Sequence, residues 1–63
     1  MKIILPKLNS IFHRVDEDEI YVYRGFNKQI NGHILVRERG PFLTYVCVCH
    51  NEFGENYFLI GEL

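Results

Sequence analysis

One segment of this sequence, from Phe42 to His50, is apolar at almost every position. Successive side chains of an extended strand point to opposite faces. One face of this segment would therefore carry Phe42, Thr44, Val46, Val48 and His50, and the other Leu43, Tyr45, Cys47 and Cys49. Such a strand is either covered on both faces, in a small closed barrel or beneath a helix, or it uses one face to contact another chain. The sequence leaves both outcomes open.

The composition favours β-structure. The 63 residues include no alanine, whereas Val, Ile and Thr total 13 and there are five Phe and four Tyr. Residues with β-branched or aromatic side chains are the ones enriched in strands. We expect residues 1–63 to form a single small β-rich domain, because the chain is too short for two domains. It is also too short to build the walls of a deep ligand pocket.

Turn residues divide the chain into four predicted strands. These strands are expected at 19–24, 33–39, 42–50 and 56–62. The connections between them are Asn31-Gly32, which favours a two-residue type I′ hairpin turn, then Gly40-Pro41, and a longer loop at 51–55. Because short connections make consecutive strands antiparallel neighbours, the prediction is an antiparallel meander.

The N-terminal segment 7–15 allows two interpretations. Leu8, Ile11, Phe12 and Val15 follow a helical spacing, but Asn9 and Ser10 are weak residues for a helix interior. The alternative is an extra strand that turns back at the acidic run 16–19. The predicted fold class is therefore mainly β, a four- to five-stranded antiparallel meander or barrel, with or without one short N-terminal helix.

Charge is segregated along the chain although the net charge is only -1. A two-residue turn at Asn31-Gly32 would pair Lys28 with Leu35, Phe26 with Arg37 and Arg24 with Arg39. One face would then combine basic and aromatic side chains, as nucleic-acid-binding surfaces do. Its members are Arg24, Phe26, Lys28, Arg37 and Arg39. A bulge at Gly25 would change this register and move Tyr21 and Tyr23 to the other side. The acidic run 16–19 is expected to be a solvated turn.

Motifs for catalysis or metal binding are not apparent. Cys47, Cys49 and His50 form C-x-C-H, with His13 and His33 as further candidate ligands, but zinc sites generally use C-x2-C spacing and no second cysteine pair follows. His50 would point away from Cys49 on a strand, so the two cannot form a nucleophile–base pair. We therefore expect neither an enzyme nor a bound metal or cofactor.

The remaining function class is binding. The sequence predicts a non-enzymatic module that occludes a surface of another protein, such as a small phage-type inhibitor or adaptor of a host protein. The candidate contact residues are Tyr45, Phe53, Tyr57 and Phe58, since aromatic residues are enriched at interfaces. Phe53 is expected either exposed at the tip of the loop 51–55 or folded back over the edge of the sheet. The alternative function is nucleic-acid binding through the basic face, and a homodimer is compatible with both.

We also expect a cytoplasmic protein with no membrane partner. No stretch approaches 18 consecutive apolar residues, and the start, Met1 to Pro6, has an apolar run of only three. Two cysteines in a chain of this length are too few for a disulfide scaffold.

Overall fold

The computed structural model describes residues 5–39 and 41–62, without the side chains of residues 38 and 39. It contains five strands and one short helix, namely β1 (Ser10–Arg14), β2 (Ile20–Asn27), β3 (Gly32–Arg39), β4 (Phe42–Cys49), α1 (His50–Asn56) and β5 (Tyr57–Glu62). All strand pairs are antiparallel, in the order β4-β3-β2-β1-β5. The mainly β antiparallel fold predicted from the sequence is confirmed, and the sheet is not closed into a barrel.

The first strand, β1, decides between the two interpretations of the N-terminal segment. Ser10–Arg14 is a strand, so the interpretation as an extra strand is confirmed and the helical one is wrong. Buried Ser10 and Phe12 alternate with partly exposed Ile11 and His13, which is the period of two that a sheet requires. The apolar residues have a helical spacing but do not form a helix, because β1 is hydrogen-bonded to a neighbouring strand on each side.

The chain forms its helix elsewhere, at His50–Asn56, where the sequence predicted a loop between two hairpin strands. That prediction is wrong, and β5 pairs with β1 instead of with β4. The helix allows Phe53 to reach the core while its neighbours Asn51 and Gly54 stay exposed. The meander therefore holds for β1 to β4 only. No helix among the described residues is long and apolar enough to cross a membrane.

The hairpin between β2 and β3 also differs from the prediction. Its turn covers four residues, 28–31, and the side-chain oxygen of Asn27 accepts a hydrogen bond from the Gln29 N–H at 2.9 Å. Gly32 belongs to β3, where it pairs with Asn27. The predicted two-residue turn at Asn31-Gly32 is therefore wrong, because the Asn27 side chain starts the turn earlier than the Asn-Gly pair.

A bulge in β2 changes the register once more. Tyr23 pairs with Leu35, but Gly25 pairs with Ile34, so that one residue of β2 is extra. Gly25 has a backbone φ of 121°, a conformation that residues with a Cβ rarely adopt. The alternative prediction from the sequence was a bulge at Gly25 that would change the register. This bulge is confirmed.

One side of the sheet carries the core, and we call it the covered face. Its buried apolar residues are Phe12, Tyr21, Tyr23, Leu35, Val48, Phe53 and Tyr57. Phe53 of α1 lies among them, with its ring centroid 4.9 Å from that of Phe12 and 5.7 Å from that of Tyr23. The packing of aromatic rings thus contributes to holding α1 on the sheet.

Two glycine substitutions should change stability in opposite directions. Gly25→Ala forces a Cβ onto a backbone with φ of 121°, and we expect it to lower the free energy of unfolding by about 1–3 kcal/mol. At Gly54, in α1, an added Cβ meets no atom within 4 Å, so Gly54→Ala should raise it by about 0.5–1 kcal/mol. Urea unfolding of both variants measures this. Equal effects of the two substitutions would contradict the role given to Gly25.

Candidate functional site

The side of the sheet opposite α1 is an apolar surface. We call it the open face and define it by nine residues, Ile11, His13, Ile20, Val22, Ile34, Val36, Tyr45, Cys47 and Phe58. The strand registers place Ile11, Val22, Val36 and Tyr45 in one row across β1, β2, β3 and β4. A shorter row joins Phe58, His13 and Ile20.

The nine residues of the open face are partly exposed, and position 38, a glutamate, follows Ile34 and Val36 on the same side of β3. None of the nine residues is Lys, Arg, Asp or Glu. Val36 is buried among its neighbours, whereas Tyr45 is 65% exposed and Phe58 47%. The His13 ring packs on Phe58 at 5.3 Å, and its Nδ1 has no hydrogen-bond partner among the described residues. Ile20 and Cys47 are also exposed, and the other residues are half-buried. Exposed apolar residues that lie together mark interaction sites.

The four aromatic residues predicted to contact a partner divide into two pairs. Tyr45 and Phe58 lie exposed on the open face, whereas Phe53 and Tyr57 are buried on the covered face. Phe53 is 8% exposed, so the expectation of an exposed ring is wrong. The alternative placed the ring over the sheet edge, whereas it packs on Phe12, Tyr23 and His33 of three strands. Phe53 lies in α1 and Tyr57 is the first residue of β5, and no local pattern in the sequence indicates that the two are buried together.

The basic face predicted from the two-residue turn does not form. Arg24 is exposed and donates a hydrogen bond to Asn9 at 3.2 Å, while Phe26 packs against His33 at 4.9 Å. Lys28 lies in the turn, and Arg37 pairs with Thr44 at the other end of β3. The side chain of Arg39 lies outside the described part of the chain. The four-residue turn and the bulge separate the residues that the predicted register brought together.

The candidate zinc ligands do not come together as one set, although His33 and His50 are in contact. Cys47 and Cys49 are free and exposed, and the register places Cys47 beside Ile34 on the open face. His33 belongs to the covered face. Within residues 5–39 and 41–62, no group of three or more His, Cys, Asp or Glu side chains is placed to hold a metal ion.

The covered face contains a hydrogen-bonded chain for which the sequence has no local signal. The Tyr23 hydroxyl lies 2.8 Å from Nδ1 of His33, and Nε2 of His33 lies 2.9 Å from Nδ1 of His50. A neutral His33 satisfies both bonds if it accepts from Tyr23 and donates to His50. Burial lowers the pKa of His33, and the nearby His50 lowers it further. The arrangement therefore favours the uncharged imidazole.

The acidic run closes the turn between β1 and β2. Arg14 Nε lies 2.6 Å from Asp16, and the hydrogen bond from Arg14 lowers the pKa of that carboxyl group. The Tyr21 hydroxyl donates to Glu17 at 2.6 Å, and burial together with this bond raises the pKa of Tyr21 to about 12. Arg14 also reaches Glu52 of α1 at 3.7 Å. These contacts agree with the interpretation of the run as a turn.

Comparison with protein families, with curated proteins and with solved structures finds no match to this chain.

Proposed function

We propose that this chain is a non-enzymatic protein-binding module whose contact surface is the open face. The observation that carries the proposal is the row of Ile11, Val22, Val36 and Tyr45 across four strands on the side of the sheet away from α1. On this side Ile20, Tyr45 and Phe58 are exposed. Binding would act by occlusion, as in a small phage-type inhibitor or adaptor that covers a functional surface of its partner.

The size of the face supports this function. Five strands about 4.8 Å apart, with up to eight residues of about 3.3 Å each, give a sheet side of roughly 20 by 26 Å. Because side chains project from the sheet, the accessible area of this side is larger than the flat area. It approaches the roughly 800 Å² that each partner buries in a standard interface. Tyr45 and Phe58 supply exposed aromatic side chains, the type that anchors interfaces.

A pair of neighbouring substitutions tests the proposal. Phe58→Glu places a charge on the open face, whereas Leu59→Glu places it on the opposite side of the same strand, where Leu59 is similarly exposed at 58%. Tagged wild-type protein and both variants are used to capture partners from lysate after nuclease treatment. We expect a stoichiometric protein that is retained by Leu59→Glu and reduced at least about tenfold with Phe58→Glu, since burying an unpaired charge is costly.

Circular dichroism and thermal melts of both variants serve as folding controls. Equal capture by the two variants would contradict the role of the open face. Capture that disappears with nuclease would indicate a nucleic-acid partner instead.

A further inference from the structure

The outer edge of β4 differs from the other edge of the sheet. β4 pairs with β3 without a register shift, from Gly32 with Cys49 to Arg39 with Phe42. Its sequence, FLTYVCVC, contains neither a charged residue nor proline. Natural sheets usually protect exposed edges with charges, proline or bulges. The β5 edge is protected in this way. The strand is shorter than β4, has a register shift against β1 and carries Glu62.

The first half of β4 is exposed on both sides. Phe42, Leu43, Thr44 and Tyr45 are all exposed. Because successive residues of a strand alternate faces, exposure on one side of the sheet cannot account for all four residues. The outer edge of β4 also has no partner strand among the described residues. An uncharged apolar strand with a free edge and two exposed faces is a template for another strand.

We propose that β4 pairs with β4 of a second copy, in an antiparallel arrangement around a two-fold axis. A two-fold axis makes the same strand meet itself in opposite directions, so that both copies use the same residues. Because the strand carries no charge, self-pairing brings no like charges of β4 together. A second copy also offers a strand of equal length with matching apolar side chains.

The alternation of faces limits the possible registers to those that oppose residues of the same side, and the proposed register is centred on Tyr45. Opposed residues in an antiparallel pair lie on the same side of the sheet, which is satisfied when Tyr45 of one copy faces Tyr45 of the other. Phe42 then faces Val48, and Leu43 faces Cys47. The apolar row that ends at Tyr45 would continue into the second copy, so the two open faces form one larger surface. The dimer does not depend on the proposed function.

Sedimentation equilibrium over a wide concentration range tests the proposal. The wild-type chain of 7.5 kDa should approach twice this mass as concentration rises. Thr44 is exposed at this edge but lies on the side of the sheet opposite the open face. Thr44→Lys and Thr44→Glu should each raise the dimer dissociation constant a few-fold, since two like charges about 7–8 Å apart across the axis repel each other only moderately in water. An equal mixture of the two variants should recover the dimer.

Leu59→Lys, at the β5 edge, is the matched control and should dimerise like the wild type. Melting temperatures establish that the Thr44 variants are folded. A wild-type chain that stays monomeric at every concentration, or Thr44 variants that dimerise unchanged, would overturn the proposal. Because Thr44 is off the open face, the result is separate from the capture experiment with Phe58→Glu.

Discussion

Phe53→Ala should lower the free energy of unfolding by about 3–5 kcal/mol, the usual cost of removing a buried phenylalanine ring. The Phe53 ring packs among aromatic rings of the covered face, and its closest neighbour is His33, at 4.1 Å and nearly parallel. A domain of this size has a total stability of only a few kcal/mol. We therefore expect most molecules of the variant to be unfolded at room temperature, as measured by circular dichroism and urea titration.

Phe42→Ala is the matched control for this experiment. It removes the same side chain from a position that is 72% exposed, so the cost should stay near about 0.5 kcal/mol. The measurement is made at low concentration, where pairing of β4 between copies contributes little. A Phe53→Ala variant as stable as Phe42→Ala would show that α1 is not held to the sheet by this ring.

The strands were predictable because their residues repeat a local pattern. Alternation and β-branched composition indicated β2, β3 and β4 within a few residues, and the open face follows from the two apolar sides of 42–50. The helix was not predictable in the same way. Residues 50–56 contain Gly54 and two asparagines, which are weak helix formers, and contacts with the sheet, such as the burial of Phe53, favour a helix there.

The registers were harder to predict than the strands. Asn31-Gly32 is a strong local signal for a hairpin turn, yet the bulge at Gly25 and the hydrogen bond from Gln29 to Asn27 favour a longer turn. A change of register moves side chains to other positions and faces, so the predicted basic face was lost with it. The contact between His33 and His50 joins β3 to α1 and left no local pattern in the sequence.

Lowering the pH from 8 to 5 should destabilise this protein through His33. The side chain is 1% exposed, and its titratable contacts are Tyr23 and His50. Burial lowers the pKa of His33 in the folded state below the ordinary value of 6.5. The unfolded chain therefore binds a proton at a higher pH than the folded chain does. The contribution of His33 to stability is complete above about pH 6.5 and is lost as the pH falls from there to the lowered pKa.

The expected slope is at most about 1.4 kcal/mol per pH unit for this one group. Urea unfolding at a series of pH values measures it. The double variant Tyr23→Phe with His33→Phe removes the titrating group together with the hydroxyl that bonds to it, and replacing both polar partners by apolar groups is often nearly neutral. We expect the stability of this variant to depend less on pH between 5 and 7 than that of the wild type.

An unchanged slope in the double variant would show that His33 does not control the pH dependence. If the slope is reduced, the loss of stability should appear first at α1, since His33 contacts both His50 and Phe53 of this helix. Amide hydrogen exchange at pH 5.5 and 7.5 would detect this as faster opening of residues 50–56 at the lower pH, once intrinsic exchange rates are corrected for pH. Protonation of His33 removes its ability to accept from Tyr23, and α1 then loses the neutral imidazole on which Phe53 stacks.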